Sequence, residues 1–197
     1  MMVLTTAMLA EQLRRYRNTA GKISRMCKEE KIFLLTRGLY ETDRSTPGYC
    51  LAAAIYGPSY LSFDYVLSKY GLIPEAVYVF TSATFGKKKK KSYENVFGLF
   101  FYQDVPDKAY PFGIEIVSEG DYVYQMATPE KAICDKLYSV SPVGSLKALE
   151  QLLFEDLRID RTEFEKLNKD DLIFLCGLYQ TNNHKLLKKK LEGRRRG

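Results

Sequence analysis

A helix with one apolar face and one cationic face is the feature of this sequence that most constrains its fold. Asn18 or Thr19 can cap the amino end of this helix by accepting a hydrogen bond from its first N–H groups. Ile23, Met26 and Cys27 follow at three- and four-residue spacing, which predicts a single buried face. The opposite face carries the basic residues Lys22, Arg25 and Lys28. The pattern therefore predicts an amphipathic helix whose outer surface is positively charged.

A tight hairpin is predicted directly after this helix. Two β-forming runs, residues 32–35 and 39–40, flank Thr36, Arg37 and Gly38, and glycine accepts the positive φ that a tight turn requires. A basic helix followed by a basic hairpin is the order of a winged helix-turn-helix, in which the helix enters the major groove of DNA. An ordinary amphipathic helix with a solvated face beside a hairpin fits the pattern equally well.

Positive charge is concentrated in three segments. The formal net charge is +6, yet residues 11–40 contain eight basic and three acidic residues and residues 184–197 contain seven basic and one acidic. A run of five lysines lies between them, at Lys87, Lys88, Lys89, Lys90 and Lys91. The rest of the chain is consequently net negative. Such segregation gives a polyanion a preferred place to bind.

The lysine run has two interpretations. Five like charges repel one another, which favours a loop whose partner would be phosphate. A solvated hairpin tip that protects a sheet edge is an equally good interpretation, since lysine is a usual residue at such edges.

The composition argues against several kinds of functional site. Cys27, Cys50, Cys134 and Cys176 are scattered without C-x-x-C spacing and are expected to be buried hydrophobic residues in a reducing compartment. With His184 as its single histidine, the chain lacks the parts of a Cys/His zinc site or of a histidine-based catalytic triad. A carboxylate metal site stays compatible with the composition. We assign no cofactor, metal ligand or catalytic residue.

The chain is expected to be cytoplasmic and to have no membrane partner. No apolar run approaches the length of a membrane span. The amino end shows no cationic lead, apolar core and small-residue cleavage site of the kind that marks a signal peptide.

The whole sequence predicts an α+β fold in two domains. Residues 1–47 are expected to form a winged helix-turn-helix DNA-binding domain, reduced to two helices unless residues 51–55 complete its core. Residues 48–197 are expected to form an α/β domain with a mainly antiparallel sheet and a helical carboxyl-terminal part. The predicted strands are residues 77–82, 96–102, 113–117 and 122–126. The predicted helices begin at residues 5 or 6, 18 or 19, 49, 63, 129, 146, 161, 170 and 182.

The helix that starts at Thr128 and Pro129 contains a cluster of charged residues. An active site could use these residues as an acid, a cation and a second acid: Glu130, Lys131 and Asp135. An acid in the first turn already has a structural explanation, because it interacts favourably with the helix dipole. We therefore favour the structural interpretation over a catalytic one.

Several segments, in order along residues 20–140, resemble those of AbiEi-type antitoxins. They are Lys22-Ile23-Ser24-Arg25-Met26, Thr36-Arg37-Gly38-Leu39-Tyr40, Pro58-Ser59-Tyr60-Leu61-Ser62, Tyr70-Gly71-Leu72-Ile73-Pro74-Glu75-Ala76 and Ala127-Thr128-Pro129-Glu130-Lys131-Ala132. The resemblance implies a prokaryotic type IV toxin–antitoxin or phage-defence protein with an amino-terminal winged helix. It also implies repression of its own operon at inverted repeats and antagonism of an AbiEii-like nucleotidyltransferase toxin.

The resemblance implies double-stranded DNA contacts by Lys22, Ser24, Arg25 and Lys28 on the helix and by Arg37 on the wing. Lys22 and Arg25 are expected to contact base edges. Phosphate contacts are expected from Arg14, Arg15, Arg17, Lys28 and Arg37, with the lysine run as a further candidate. Paired half-sites in the family would place two copies on the operator, although no heptad or apolar stripe specifies a dimer surface.

Two other functions remain open at this stage. A protein-interaction module would restrain a toxin without binding DNA. A metal-dependent nuclease would use Asp or Glu, but no paired carboxylates with a lysine partner stand out from the charged helices.

Overall fold

A computed structural model of the protein describes residues 3–193, which form a mixed α+β fold with two sheets. The strands are β1 (Val3–Thr5), β2 (Phe33–Thr36), β3 (Leu39–Glu41), β4 (Tyr60–Leu61), β5 (Val79–Thr84), β6 (Lys91–Asn95), β7 (Gly98–Asp104), β8 (Ile114–Glu119) and β9 (Tyr122–Ala127). The helices are α1 (Thr6–Gln12), α2 (Thr19–Lys28), α3 (Gly48–Ile55), α4 (Phe63–Lys69), α5 (Pro129–Ser139), α6 (Leu146–Gln151), α7 (Arg161–Lys166), α8 (Lys169–Leu178) and α9 (Asn182–Gly193), with a π-helical segment at Leu152–Asp156. Residues 194–197, the end of the predicted basic segment, lie outside the described residues.

The amino-terminal part consists of α1, α2 and a three-stranded antiparallel sheet in the order β1-β3-β2. The predicted helix α2 and the hairpin of β2 and β3 are confirmed. Asn18 rather than Thr19 caps α2, since its side-chain oxygen accepts a hydrogen bond from the Gly21 N–H at 2.8 Å. The turn is made by Gly38, whose φ of +81° suits glycine. Strand β1 was not predicted.

This part has a small hydrophobic core of its own, formed by Leu4, Leu9, Ile23 and Ile32. Leu51, by contrast, belongs with the rest of α3 to the larger core of the molecule. Residues 51–55 therefore do not complete the small core, and among the residues described before the hairpin there are only two helices.

The larger sheet has six strands in the order β6-β7-β5-β4-β9-β8. The expectation of a mainly antiparallel sheet is only partly correct, because β5 pairs with β7 and β4 pairs with β9 in parallel. The other three pairings are antiparallel. The four predicted strands are confirmed as β5, β7, β8 and β9, whereas β4 and β6 were not predicted.

The two faces of β5 and β7 have different surroundings. Phe80 lies opposite Phe100 on the face that α3 covers, where the Tyr102 hydroxyl donates to the Ala52 carbonyl at 2.7 Å. Alternate residues of a strand point to opposite faces. Val79 and its partner Leu99 therefore lie on the other face of the sheet, where Leu99 is 41% exposed.

The predicted helices beyond residue 128 are confirmed, and α5, α8 and α9 pack together. Thr128 caps α5 by accepting a hydrogen bond from the Lys131 N–H at 3.2 Å. Ser62 occupies the cap position of α4, but its hydroxyl donates to Asp135 Oδ2 at 2.6 Å instead of accepting a hydrogen bond from the helix.

The amino-terminal part contacts the larger sheet at the turn between β6 and β7. The Asn95 side-chain amide donates to the Leu35 carbonyl of β2 at 3.0 Å. The rings of Phe33 and Phe97 meet edge to face at 5.9 Å, and the Arg44 guanidinium lies over both. No helix among residues 3–193 is long and apolar enough to cross a membrane.

Candidate nucleic-acid interface

Helix α2 is anchored by its apolar face on the small core. Ile23 is buried, and Met26 and Cys27 pack against the same cluster. Successive helical residues are rotated by about 100°, so Arg25 and Lys28 lie on the side of the helix that faces away from this core. Both are exposed, as is Ser24. The packing that the sequence pattern predicted therefore leaves the cationic face directed to solvent.

The cations on this face are not neutralised by the protein itself. Among residues 3–193, Lys22, Arg25 and Lys28 form no ion pair with an acidic side chain. Glu29, at the end of the helix, is paired with Lys31 at 2.8 Å. That hydrogen bond lowers the pKa of Glu29, and the nearby charges of Lys22 and Arg25 lower it further. The helix thus presents free positive charge beside one acid that has its own partner.

The arginines Arg14, Arg15 and Arg17 do not belong to a helix. Helix α1 ends at Gln12, so these residues lie in the exposed connection to α2. Arg14 pairs with Glu11 at 3.1 Å, but both side chains are highly exposed, and such surface pairs contribute only about 0–1 kcal/mol. Glu11 therefore competes only weakly with a phosphate for binding to Arg14.

Tyr16 holds two of the predicted cations. The Arg15 guanidinium lies 5.7 Å and the Lys22 ammonium 5.1 Å from the centre of its ring. Exposed cation–π contacts of this kind stabilise by about 0.5–1 kcal/mol. Tyr16 was not among the predicted contact residues. In the sequence, Tyr16 is an aromatic residue between arginines and six positions before Lys22. This spacing alone is only a weak indication of cation–π contacts, because the contacts depend on how the connection between α1 and α2 folds.

The hairpin carries Arg37 at its turn, where the side chain is exposed. The Gly38 carbonyl accepts a hydrogen bond from the Thr6 N–H at 2.9 Å, which ties the turn to the start of α1. Arg37 forms no ion pair with an acid within the described residues. The turn is thereby held to the same compact unit that carries α2.

The lysine run connects β5 to β6, and the hairpin interpretation of it is wrong because β7 lies between these two strands. Two of its residues have partners. The Lys88 N–H donates to Asp104 Oδ2 at 2.6 Å, and the Lys87 ammonium donates to the Gly57 carbonyl at 3.2 Å. Lys89 and Lys90 are exposed, and Lys91 begins the edge strand β6.

The lysine run and the amino-terminal cations are not brought together into one cluster. Strand β6 contacts the amino-terminal part through Asn95, whereas the lysine run lies at its other end. Asn95 lies four residue steps along the extended strand from Lys91, a span of about 13 Å. The run is therefore a separate basic surface on the same molecule.

Two of the charged residues of α5 belong to a buried polar network. Lys131 and Asp135 are both completely buried, with 3.4 Å between Nζ and Oδ1. The ammonium also donates to the Ala109 carbonyl at 2.6 Å and to the Tyr179 hydroxyl at 2.7 Å. The carboxylate accepts hydrogen bonds from the hydroxyls of Tyr60, Ser62 and Tyr179.

The electrostatics of this network follow from its burial. Burial raises the pKa of Asp135, while Lys131 and the three hydroxyls act in the opposite direction. Burial also lowers the pKa of Lys131, against the attraction of Asp135. Because every polar atom of the pair has partners and neither side chain reaches solvent, the network holds α5 to β4 and to the segment after α8. Its geometry is that of a structural element.

His184 is stacked on the Tyr179 ring next to this network, with 4.3 Å between the ring centres. Burial lowers the pKa of His184 to about 4. Its Nε2 lies 2.9 Å from the Cys134 carbonyl and its Nδ1 lies 2.7 Å from the Thr181 hydroxyl. The imidazole is therefore neutral at pH 7 and is used in packing.

The described residues contain no group of three or more His, Cys, Asp or Glu side chains placed to hold a metal ion. No protein-family model matches the chain, and no curated protein matches it significantly.

Proposed function

We propose that this protein binds double-stranded DNA through α2 and the β2–β3 hairpin and acts as a transcriptional autorepressor. The observation that carries the proposal is the outer face of α2, where Arg25 and Lys28 are exposed and have no acidic partner in the part of the chain that the structure describes. The hairpin with Arg37 follows this helix directly, in the order of a winged helix-turn-helix, and the winged-helix assignment is part of the proposal.

The residues have different roles in this proposal. Lys22 and Arg25 hydrogen-bond to base edges in the major groove, where a good bidentate contact contributes about 1–3 kcal/mol of discrimination. Lys28, Arg37 and the arginines before α2 neutralise phosphates and fix the position of the helix. Tyr16 is a positioning residue, since its ring holds both Arg15 and Lys22.

We further propose that the protein is the antitoxin of an AbiE-like system and counteracts an AbiEii-like nucleotidyltransferase toxin. Support comes from the ordered segments that resemble AbiEi-type antitoxins. Two of them meet in the buried network, because Tyr60 and Ser62 come from one segment and Lys131 from another. The resemblance of these two segments to AbiEi-type antitoxins thus involves residues that stabilise the part of the molecule that contains the six-stranded sheet.

The DNA-binding proposal is tested by two single substitutions in the full chain. Arg25→Ala is expected to relax the preference for operator over scrambled DNA by about 1–3 kcal/mol. Arg37→Ala is expected to weaken binding to both duplexes alike and to reduce the slope of log K against log salt by about 0.9. Band-shift titrations at several salt concentrations measure both effects.

Lys169→Ala is the matched control, since Lys169 is an exposed cation at the start of α8, outside the proposed interface. It should leave both titrations unchanged. Equal losses of DNA affinity in all three variants would mean that binding depends only on the net charge of the protein. That result would contradict the assignment of the interface to α2 and the hairpin.

The antitoxin proposal is tested by coexpression with an AbiEii-like nucleotidyltransferase toxin. The double variant Arg25→Ala/Arg37→Ala separates the two roles. If it still rescues growth without binding DNA, the protein restrains the toxin independently of repression, as in the protein-interaction alternative. Failure of the wild-type chain to rescue would refute the antitoxin role and leave the band-shift result standing.

A further inference from the structure

An open groove of about 500 Å³ lies on the sheet face opposite α3. Its floor is formed by side chains of β5 and β7 and of the segments beside them: Ile73, Val77, Val79, Leu99, Phe101 and Leu157. Thr81 and Ser92 add hydroxyl groups. Small-molecule sites are typically concave, mostly apolar and about 300–1,000 Å³ in volume, with few polar groups.

The size of this face favours a small molecule over a protein. Three strands spaced about 4.8 Å apart and about five residues long cover roughly 14 Å by 17 Å, or about 240 Å². A standard protein interface needs about 800 Å² on each partner. A second copy of the chain would therefore have to contact much more than the groove.

The charge of the lining favours a cation. Lys136 is paired with Asp64 at 2.7 Å, and Arg158 is paired with Glu75. The fifth charged residue of the lining, Asp156, is exposed and has no ion-pair or hydrogen-bond partner within residues 3–193. With three carboxylates and two cations, the lining has a net charge of −1, which favours a cationic ligand over an anionic one.

We propose that this groove binds a small apolar molecule that carries a single ammonium group. The apolar body packs on Val79, Leu99 and Phe101, whose removal from water supplies most of the affinity. The ammonium pairs with Asp156, the exposed carboxylate of the lining. The proposal does not depend on DNA binding, because no cation of α2 or of the hairpin lines the groove.

The test uses the full chain and two probes with the same chain length, n-octylammonium and n-octanoate, below their micelle-forming concentrations. Titration calorimetry is expected to show saturable one-to-one binding of n-octylammonium and at least tenfold weaker binding of n-octanoate. Asp156→Asn should reduce that ratio to less than threefold. Glu155→Gln, a substitution at the exposed neighbour that does not line the groove, should preserve it.

The apolar contribution is tested separately. Leu99→Ser should reduce the affinity for both probes at least threefold. Ile116→Ser is the control, because Ile116 is 72% exposed and lies on the far edge strand β8; it should leave both affinities unchanged. Val79→Thr, which keeps the side-chain size, gives the same information if Leu99→Ser does not fold.

Equal affinity for the two probes, an unchanged ratio in Asp156→Asn, or no saturable binding would overturn the proposal. Light scattering gives a further test of the proposal. If it shows that the wild-type chain is a dimer and that Leu99→Ser is a monomer, the groove is an interface between two copies of the chain and the proposal is overturned.

Discussion

The protonation of His184 should govern how the stability of this protein depends on pH. His184 is the single histidine of the chain, and burial lowers its pKa from the ordinary 6.5 to about 4. The positive charge of Lys131 acts in the same direction, whereas the hydrogen bond to the Cys134 carbonyl opposes the shift. The folded protein therefore binds this proton far less readily than the unfolded chain does.

The direction and size of the effect follow from linkage. Between pH 6.5 and pH 4 the unfolded chain binds the proton and the folded protein does not, so the free energy of unfolding falls as the pH falls. The contribution is complete above pH 6.5 and is lost near pH 4. At 1.36 kcal/mol per unit of pKa shift the total is about 3 kcal/mol, of which about 2 kcal/mol is lost between pH 7 and pH 5.

Urea unfolding at pH 7, 6 and 5 measures this loss, and His184→Gln provides the comparison. The glutamine amide can still donate to the Cys134 carbonyl but does not titrate, so the variant should lose about 2 kcal/mol less over this interval. Carboxylates such as Asp135 are present in both proteins, so their contributions to the pH dependence cancel in the comparison. A folded-state pKa above 6 in an NMR titration of the single imidazole, or parallel pH profiles of the two proteins, would refute the reasoning.

Three further substitutions test the fold. Asp135→Leu leaves Lys131 buried without its counter-charge and should cost about 3–5 kcal/mol in urea unfolding, while the double variant Asp135→Leu/Lys131→Met should recover part of this loss. Gly38→Ala places a side chain at a φ of +81° and should destabilise by about 1 kcal/mol or more, whereas Gly144→Ala, in open space, should stay within about 0.5 kcal/mol. Asn18→Ala removes the cap of α2 and should cost about 1 kcal/mol, seen as reduced helicity and a lower unfolding midpoint.

The elements that could be predicted from the sequence are those specified by neighbouring residues. Helix α2 has a cap at Asn18 and a regular apolar spacing, and the hairpin has a glycine at its turn. Strands β1 and β4 have only three and two residues, too few to show alternation. Strand β6 reads as polar because it is an edge strand that begins with Lys91. Parallel pairing between β5 and β7 depends on contacts distant in sequence, which no local pattern reveals.

The buried network was out of reach for the same reason. Lys131 and Asp135 are four residues apart on one helix, a spacing that usually indicates an exposed ion pair. Their partners Tyr60 and Tyr179 come from segments more than 40 residues away on either side. The apolar neighbours Ala132 and Ile133 were a signal that this part of α5 is buried, but they do not identify the hydroxyls that make burial of the charges tolerable.

The two parts of the molecule differ in what their sequence segments can say about function. In the second part the segments that resemble AbiEi-type antitoxins include Tyr60, Ser62 and Lys131, which are buried and therefore act through the fold. In the first part, Ser24 and Arg25 of the corresponding segment are exposed and contribute little to packing. Substitutions at the buried positions would impair every activity by unfolding the protein. Substitutions at exposed positions of α2, of the hairpin and of the connection that precedes α2 would remove the proposed DNA binding while preserving stability, so the proposed function depends on these positions.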